Sequence, residues 1–168
     1  MTNQEAQFFA GVMIKTLEQE FGTTKKVIAA LEGTKLDYRP DPKSKTAFEL
    51  AHHIATSDVW FVNSITAGEF DFNNDQGSNC EAKTVSDLLK WYDKSYPAAL
   101  ERVRTVPADM WTKSVSFAGM PALPLVTYLL WQQNHSVHHR GQLSAYLRAA
   151  GGKVPSIYGG SADETMGM

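Results

Sequence analysis

The chain has 168 residues, one domain's length, enough to bury a core without disulfides or a structural metal. Apolar residues make up 43 % and the formal net charge is -2, from 16 basic and 18 acidic residues, so a nucleic-acid-binding surface is not expected. The single cysteine, Cys80, lies in a polar stretch, no leader pattern opens the chain and no apolar run is long enough to span a bilayer, so a cytoplasmic protein without a membrane partner is expected.

The spacing predicts a first helix from about Thr2 to Leu31. Thr2 and Glu5 stand at capping-box distance. Phe8, Phe9, Val12, Met13, Leu17, Val27, Ile28 and Leu31 recur at helical spacing. Gly11 and Gly22 weaken this helix and allow a break near Phe21, and Gly33 ends it. Lys35 to Lys45, with Pro40 and Pro42, reads as a crossing loop. A second helix starts at Ser44 or Thr46 and continues to about Ala67. Gly68 to Lys83 is polar and reads as an exposed loop. Thr84 with Asp87, or Ser86, begins a third helix through Thr105, which Pro97 kinks or divides. Trp111 to Pro124 reads as a loop. A fourth helix runs from Pro124 or Leu125 to Ala150, where Gly151 and Gly152 stop it. The tail from Lys153 to Met168 has no periodicity, and no stretch alternates as a strand would. One all-α domain over residues 1–168, a four-helix bundle, is the expected fold.

All 5 histidines fall in two short segments, His52-His53 and His135-Ser136-Val137-His138-His139. At about 100° per residue, His53 lies at the edge of the apolar face formed by Leu50, Ile54, Phe61 and Ile65, and His52 points away from it. On the fourth helix Leu125, Leu129, Leu143 and Leu147 form the apolar stripe. His139 lies inside that stripe, His135 borders it and His138 faces out. His135 and His139 are four residues apart and stack one turn above each other. A lone inward histidine is ordinarily a hydrogen-bonded core residue. Three of them from two facing helices argue instead for a divalent metal site on His53, His135 and His139, with coordination positions left for water or substrate. Ser136 stands where a zinc protease of the His-Glu-x-x-His type carries its glutamate, which argues against that chemistry.

Glu49-Leu50-Ala51-His52-His53-Ile54-Ala55, followed by Trp60, resembles the second-helix motif of the DinB/YfiT-like superfamily. Asn134-His135-Ser136-Val137-His138-His139-Arg140-Gly141-Gln142-Leu143 resembles its fourth-helix motif. Tyr38-Arg39-Pro40, Tyr146-Leu147-Arg148, Gly151, Pro155 and Tyr158-Gly159 are similar to its pattern too, so the resemblance covers nearly the whole chain. It implies an up-down-down-up bundle, often a homodimer, with a metal on His53, His135 and His139. It also implies the family's range of activities: transferases and isomerases that use bacillithiol, mycothiol or glutathione, metal-dependent hydrolases, and members without known activity.

Glu49, one turn before His53, is the candidate general base or ligand-orienting group; the ordinary reading is a solvated glutamate. Arg140 is the candidate for binding an anionic substrate or a thiol cofactor's carboxylate, against a helix-surface ion pair. Gln132 and Gln142 flank the histidine face as candidates for holding bound water. Trp60, Trp131 and Tyr128 line a pocket or simply fill core or a dimer contact. Cys80 has no feature of a nucleophile. The leading expectation is a metal enzyme that activates a small-molecule thiol for transfer to a substrate. The alternatives are a hydrolase that activates water with Glu49 as proton acceptor, and a non-catalytic metal-binding stress-response protein. Imidazole suits several metals, with zinc and nickel foremost.

Overall fold

The computed structural model describes residues 1–165. Helix α1 (Asn3–Ala29) starts on Thr2, whose hydroxyl accepts from the Glu5 amide while the Glu5 carboxylate accepts from the Thr2 amide. It runs unbroken past Gly22, since Phe21 is held edge-on to Tyr92 at 4.8 Å. Helix α2 (Ala47–Ala67) starts on the same device, Thr46 with Glu49, and ends at Gly68 in the left-handed region (φ 74°). A side chain at Gly68 would also strike Met110, so glycine is required there twice over. Helix α3 (Val85–Val103) is capped by Thr84 and passes through Pro97 as one element. Helix α4 spans Thr127–Ala149. The stretch expected as loop between α3 and α4 holds a short 3₁₀ turn (Met110–Thr112) and two antiparallel strands, β1 (Ser114–Val115) and β2 (Leu123–Pro124). Two-residue strands are too short to leave an alternating pattern in the sequence.

The cross-helix partners fix the directions of the helices. Glu18 pairs with Arg104 and Lys25 with Asp93, so α1 and α3 run antiparallel. Asp58 meets Tyr92 and Asn63 meets Arg102, so α2 and α3 run parallel. Asp58 and His53 face Gln132 and His139 respectively, so α2 and α4 run antiparallel. The result is the up-down-down-up four-helix bundle, in which α2 packs on α3 and α4 while α1 closes the ring against both. Successive helices α1 and α2 are therefore diagonal, and the long connection between them is what that placement needs.

A polar knot lies inside this apolar shell. Asp58 is 1 % exposed and accepts from Tyr92 Oη at 2.5 Å, Gln132 Nε2 at 2.9 Å and Ser136 Oγ at 3.2 Å. Tyr96 Oη donates to Gln132 Oε1 at 3.3 Å and extends the network. On the α1 side, Arg140 is 1 % exposed and pairs with Glu20 at 2.5 Å. It also donates to Thr24 Oγ1 and to the Tyr158 hydroxyl. Arg140 therefore ties α4 to α1 and to the C-terminal segment rather than lying on a helix surface.

Burial pushes the Asp58 carboxyl up to about 7, against the opposing pull of its three donors. Between the ordinary value of 3.8 and about 7 the folded chain keeps a proton that the unfolded chain has lost. Stability contributed by Asp58 should accordingly fall as pH rises through that window. Denaturation in urea across this range should show the decline in the native chain and a flatter profile in Asp58→Asn. Asp58→Ala should lose about 3 kcal/mol by leaving three buried donors without an acceptor. The same pH slope in Asp58→Asn would assign the decline to other groups.

Candidate metal centre

His53 stands two turns into α2, and His135 and His139 stand on successive turns of α4. Their ring centroids are 5.2 Å (His53 to His135), 4.8 Å (His53 to His139) and 4.5 Å (His135 to His139) apart. One nitrogen from each ring lies within 4.8 Å of the others. Metal–imidazole bonds of about 2.0–2.1 Å put tetrahedral ligands roughly 3.4 Å apart, so modest ring rotations would close the three on one ion. His138 is exposed beside this group. His52 turns the other way and is half-buried rather than solvated, its Nε2 3.0 Å from the Cys80 carbonyl oxygen. Cys80 is half-buried, and burial raises its thiol pKa.

Hydrogen bonding prepares the rings as ligands. His139 Nδ1 lies 3.0 Å from Gln142 Oε1, an acceptor only, so Nδ1 carries the proton and the Nε2 lone pair is left toward the cluster. Gln142 is itself oriented by donating to Tyr146 Oη. Ser57 Oγ holds His53 Nδ1 at 3.1 Å. His135 Nδ1 is buried with no hydrogen-bond partner among the described residues, an exception that a bound ion at this cluster would account for. Burial, followed by the neighbouring rings, lowers the His53 and His135 pKa to about 4. Burial also lowers that of His139. All three are thus neutral at physiological pH, the protonation state a metal needs. A three-nitrogen set from neutral rings fits a divalent cation with open coordination positions.

His53 lines two unlike hollows, and His135 lines the second of them. One, of about 600 Å³, is lined by Arg39, Lys43, Lys45, Glu49, His52 and His53 among others. The other, of about 320 Å³, is lined by His53, Ser57, Trp60, Phe61, Phe72, Phe117 and His135. Trp131 lines a further hollow that shares Phe61, Phe117 and His135 with the second, while Tyr128 is buried and donates to the Val115 carbonyl. The loop residues Phe72 and Phe117 were not foreseen. Phe117 sits at the tip of the β1–β2 hairpin, and the neighbouring rings, not any local pattern, hold it there.

Of the other candidates, Glu49 reaches the rim of the first hollow, but its carboxylate is engaged by the Thr46 amide at 2.7 Å and lies 3.9 Å from Arg39. Those hydrogen bonds with Thr46 lower its pKa and make it a weaker base. Arg140 points to α1, away from both hollows. Gln132 belongs to the Asp58 network, and Gln142 orients His139.

Each of His53→Ala, His135→Ala and His139→Ala should lower the metal content of untagged protein several-fold, with His138→Ala unchanged. Elemental analysis after dialysis reads this directly. Without metal, the neutral buried rings contribute stability that is complete above pH 6.5 and is lost as pH falls toward about 4, because the unfolded chain takes up protons first.

The DinB family model matches residues 1–166. Two proteins of uncharacterised function from Bacillus subtilis strain 168 are similar in sequence. YrdA is 27 % identical over 158 residues, covering 90 % of this chain and 89 % of YrdA. YjoA is 31 % identical over 117 residues, covering 68 % of this chain and 73 % of YjoA. The crystal structure of a DinB-like protein from Bacillus cereus ATCC 10987 superposes with a TM-score of 0.70 at 25 % identity, covering 87 % of this chain and 95 % of that one. That of YjoA superposes with a TM-score of 0.65 at 22 % identity, covering 83 % and 91 %. With four helices in the expected order, three converging histidines and a match along nearly its whole length, the chain belongs to the DinB family.

Proposed function

We propose that this chain is a metal-dependent enzyme that binds a small-molecule thiol at a divalent ion, zinc or nickel, held by His53, His135 and His139, and transfers the thiol sulfur to a second substrate. The observation that carries this reading is the hollow of about 600 Å³ that reaches His53 past Arg39, Lys43 and Lys45. Low-molecular-weight thiol cofactors carry carboxylates, and a cationic cleft beside the ligands suits them. Lys45 is close enough to His53 and His139 to oppose their protonation, so the same side chain would attract an anion and keep the ligands neutral. A divalent ion on three neutral nitrogens keeps its charge and favours an anionic further ligand, lowering the pKa of a coordinated thiol.

The hydrolytic alternative has less support. It needs a proton acceptor beside the ion, and Glu49 is the only carboxylate lining either hollow among the described residues. Its role in starting α2 occupies it. The non-catalytic alternative would suit a closed site, whereas His53 opens onto two hollows.

Cobalt-substituted protein should change its visible absorption on adding millimolar glutathione, and His139→Ala should not. Binding should release a proton and strengthen with rising pH until hydroxide competes. Lys45→Ala should weaken the response several-fold, most clearly at low salt. An unchanged spectrum in the intact protein would remove the basis for thiol activation and favour hydrolysis.

A further inference from the structure

The second hollow differs from the first in what it can hold. Its lining has no charged side chain: four of its residues are Trp60, Phe61, Phe72 and Phe117, and the polar ones are Ser57, His53 and His135. Its volume, about 320 Å³, is at the lower end of the roughly 300–1,000 Å³ usual for small-molecule pockets. That leaves space for one or two rings and none for a peptide.

The walls are oriented. Phe61 and Phe117 lie nearly parallel, 11° between planes and 5.5 Å between centroids. Phe72 meets Phe117 edge-on at 5.3 Å, and Trp60 meets Phe61 edge-on at 5.3 Å. Phe72 is 59 % exposed and packs against Trp60 and Phe117, its ring centroid 5.1 Å and 5.3 Å from theirs. The loop carrying it is nonetheless fastened along α2. Trp60 Nε1 donates to the Asn74 carbonyl at 3.1 Å, Asn63 Nδ2 donates to the Gln76 carbonyl, and His52 holds the Cys80 carbonyl. Phe117 is fixed from the other side by the hairpin that Tyr128 anchors. Two separate loops thus each place a phenylalanine over one face of α2, beside two of the three metal-site histidines.

We infer that this pocket binds the second substrate, a neutral planar aromatic compound, with its reactive carbon directed to the His53 and His135 end. The inference extends the thiol reading by naming the acceptor's class. Charge separates the two reactants: the anionic thiol enters through the cationic cleft, the uncharged ring through the aromatic one, and His53 forms the wall between them. In the transfer, the thiol sulfur bonds to carbon, the leaving group departs with the electron pair of its former bond, and the thiol proton passes to solvent. Aromatic walls favour a flat ring over an aliphatic body of equal size through edge and face contacts.

The test needs neither thiol nor turnover. The full-length chain is titrated with 2,4-dinitroaniline, a neutral planar ring whose absorption overlaps tryptophan emission, so occupancy quenches the chain's tryptophan fluorescence. Saturable quenching is expected, with cyclohexanemethanol a poor competitor. Phe72→Ala and Phe117→Ala should each raise Kd about tenfold, and Phe72, being exposed, can be replaced without unfolding the core. Lys45→Ala should leave ring affinity unchanged while weakening the cobalt response to glutathione, so the two readings fail separately. Quenching that does not saturate, or equal Kd values in the native chain and both phenylalanine variants, overturns the inference. So does a Phe72→Ala change confined to sedimentation, which would show that the aromatic face seats a second copy of the chain.

Discussion

The register between α2 and α4 rests on the buried carboxyl of Asp58. It takes donors from Gln132 and Ser136 of α4 and from Tyr92 of α3, so one side chain fixes how three helices are rotated and where along their length they meet. An apolar seam would tolerate small slides, because hydrophobic contact is non-directional. Three hydrogen bonds to one buried carboxyl do not, since any slide leaves a polar group unsatisfied in a low dielectric. His53 is five residues before Asp58, and His135 is next to Ser136. The convergence of the histidines therefore follows from a network that includes none of them.

One turn beyond Ser136, α4 is held a second time, by Arg140. The guanidinium is nearly fully buried against Glu20 and Thr24 and reaches Tyr158 of the C-terminal segment. Glu20 receives the Tyr158 hydroxyl at 2.7 Å as well, so the three groups close a ring of charge-assisted bonds. Such a pair is expensive to break from one side, because the remaining charge stays buried. With α2 gripping one face of α4 and α1 another, the histidine face is the part of α4 that remains open to the hollows.

Much of this was legible from residue spacing. Thr2 with Glu5, Thr46 with Glu49 and Thr84 with Asp87 mark the helix starts, and counting 100° steps separates His53, His135 and His139 from His138. The polar interior was not read, because inward was equated with apolar. Yet Leu50, Ile54 and Asp58 are one stripe at four-residue spacing, and so are Gln132, Ser136 and Arg140; the pattern existed and named buried polar groups. Glu49 carries two signals at once. Its proximity to His53 in sequence suggested chemistry, but its place three residues after Thr46 already assigned it to the helix start. Phe72 and Phe117 had no legible signal. Each depends on tertiary contacts made by a loop, and a polar loop composition does not disclose where one aromatic will dock.

The same ion would meet two environments across His53. On the side of Lys43 and Lys45, the hollow that reaches His53 is lined by charged side chains. On the side of Phe61 and Phe117, polarizable but uncharged walls exclude ions. Three neutral ligands impose little chemistry of their own, so these surroundings decide what occupies the remaining positions. A hydrolase would be expected to place a carboxylate and ordered water on the open side. Among the described residues the one carboxylate lining either hollow caps a helix, and the other lining groups include Lys43, Lys45 and aromatic rings. In the proposed reaction the cations would draw in an anionic nucleophile, and the rings would hold an uncharged acceptor. That asymmetry, more than the histidines themselves, favours joining two substrates over splitting one with water.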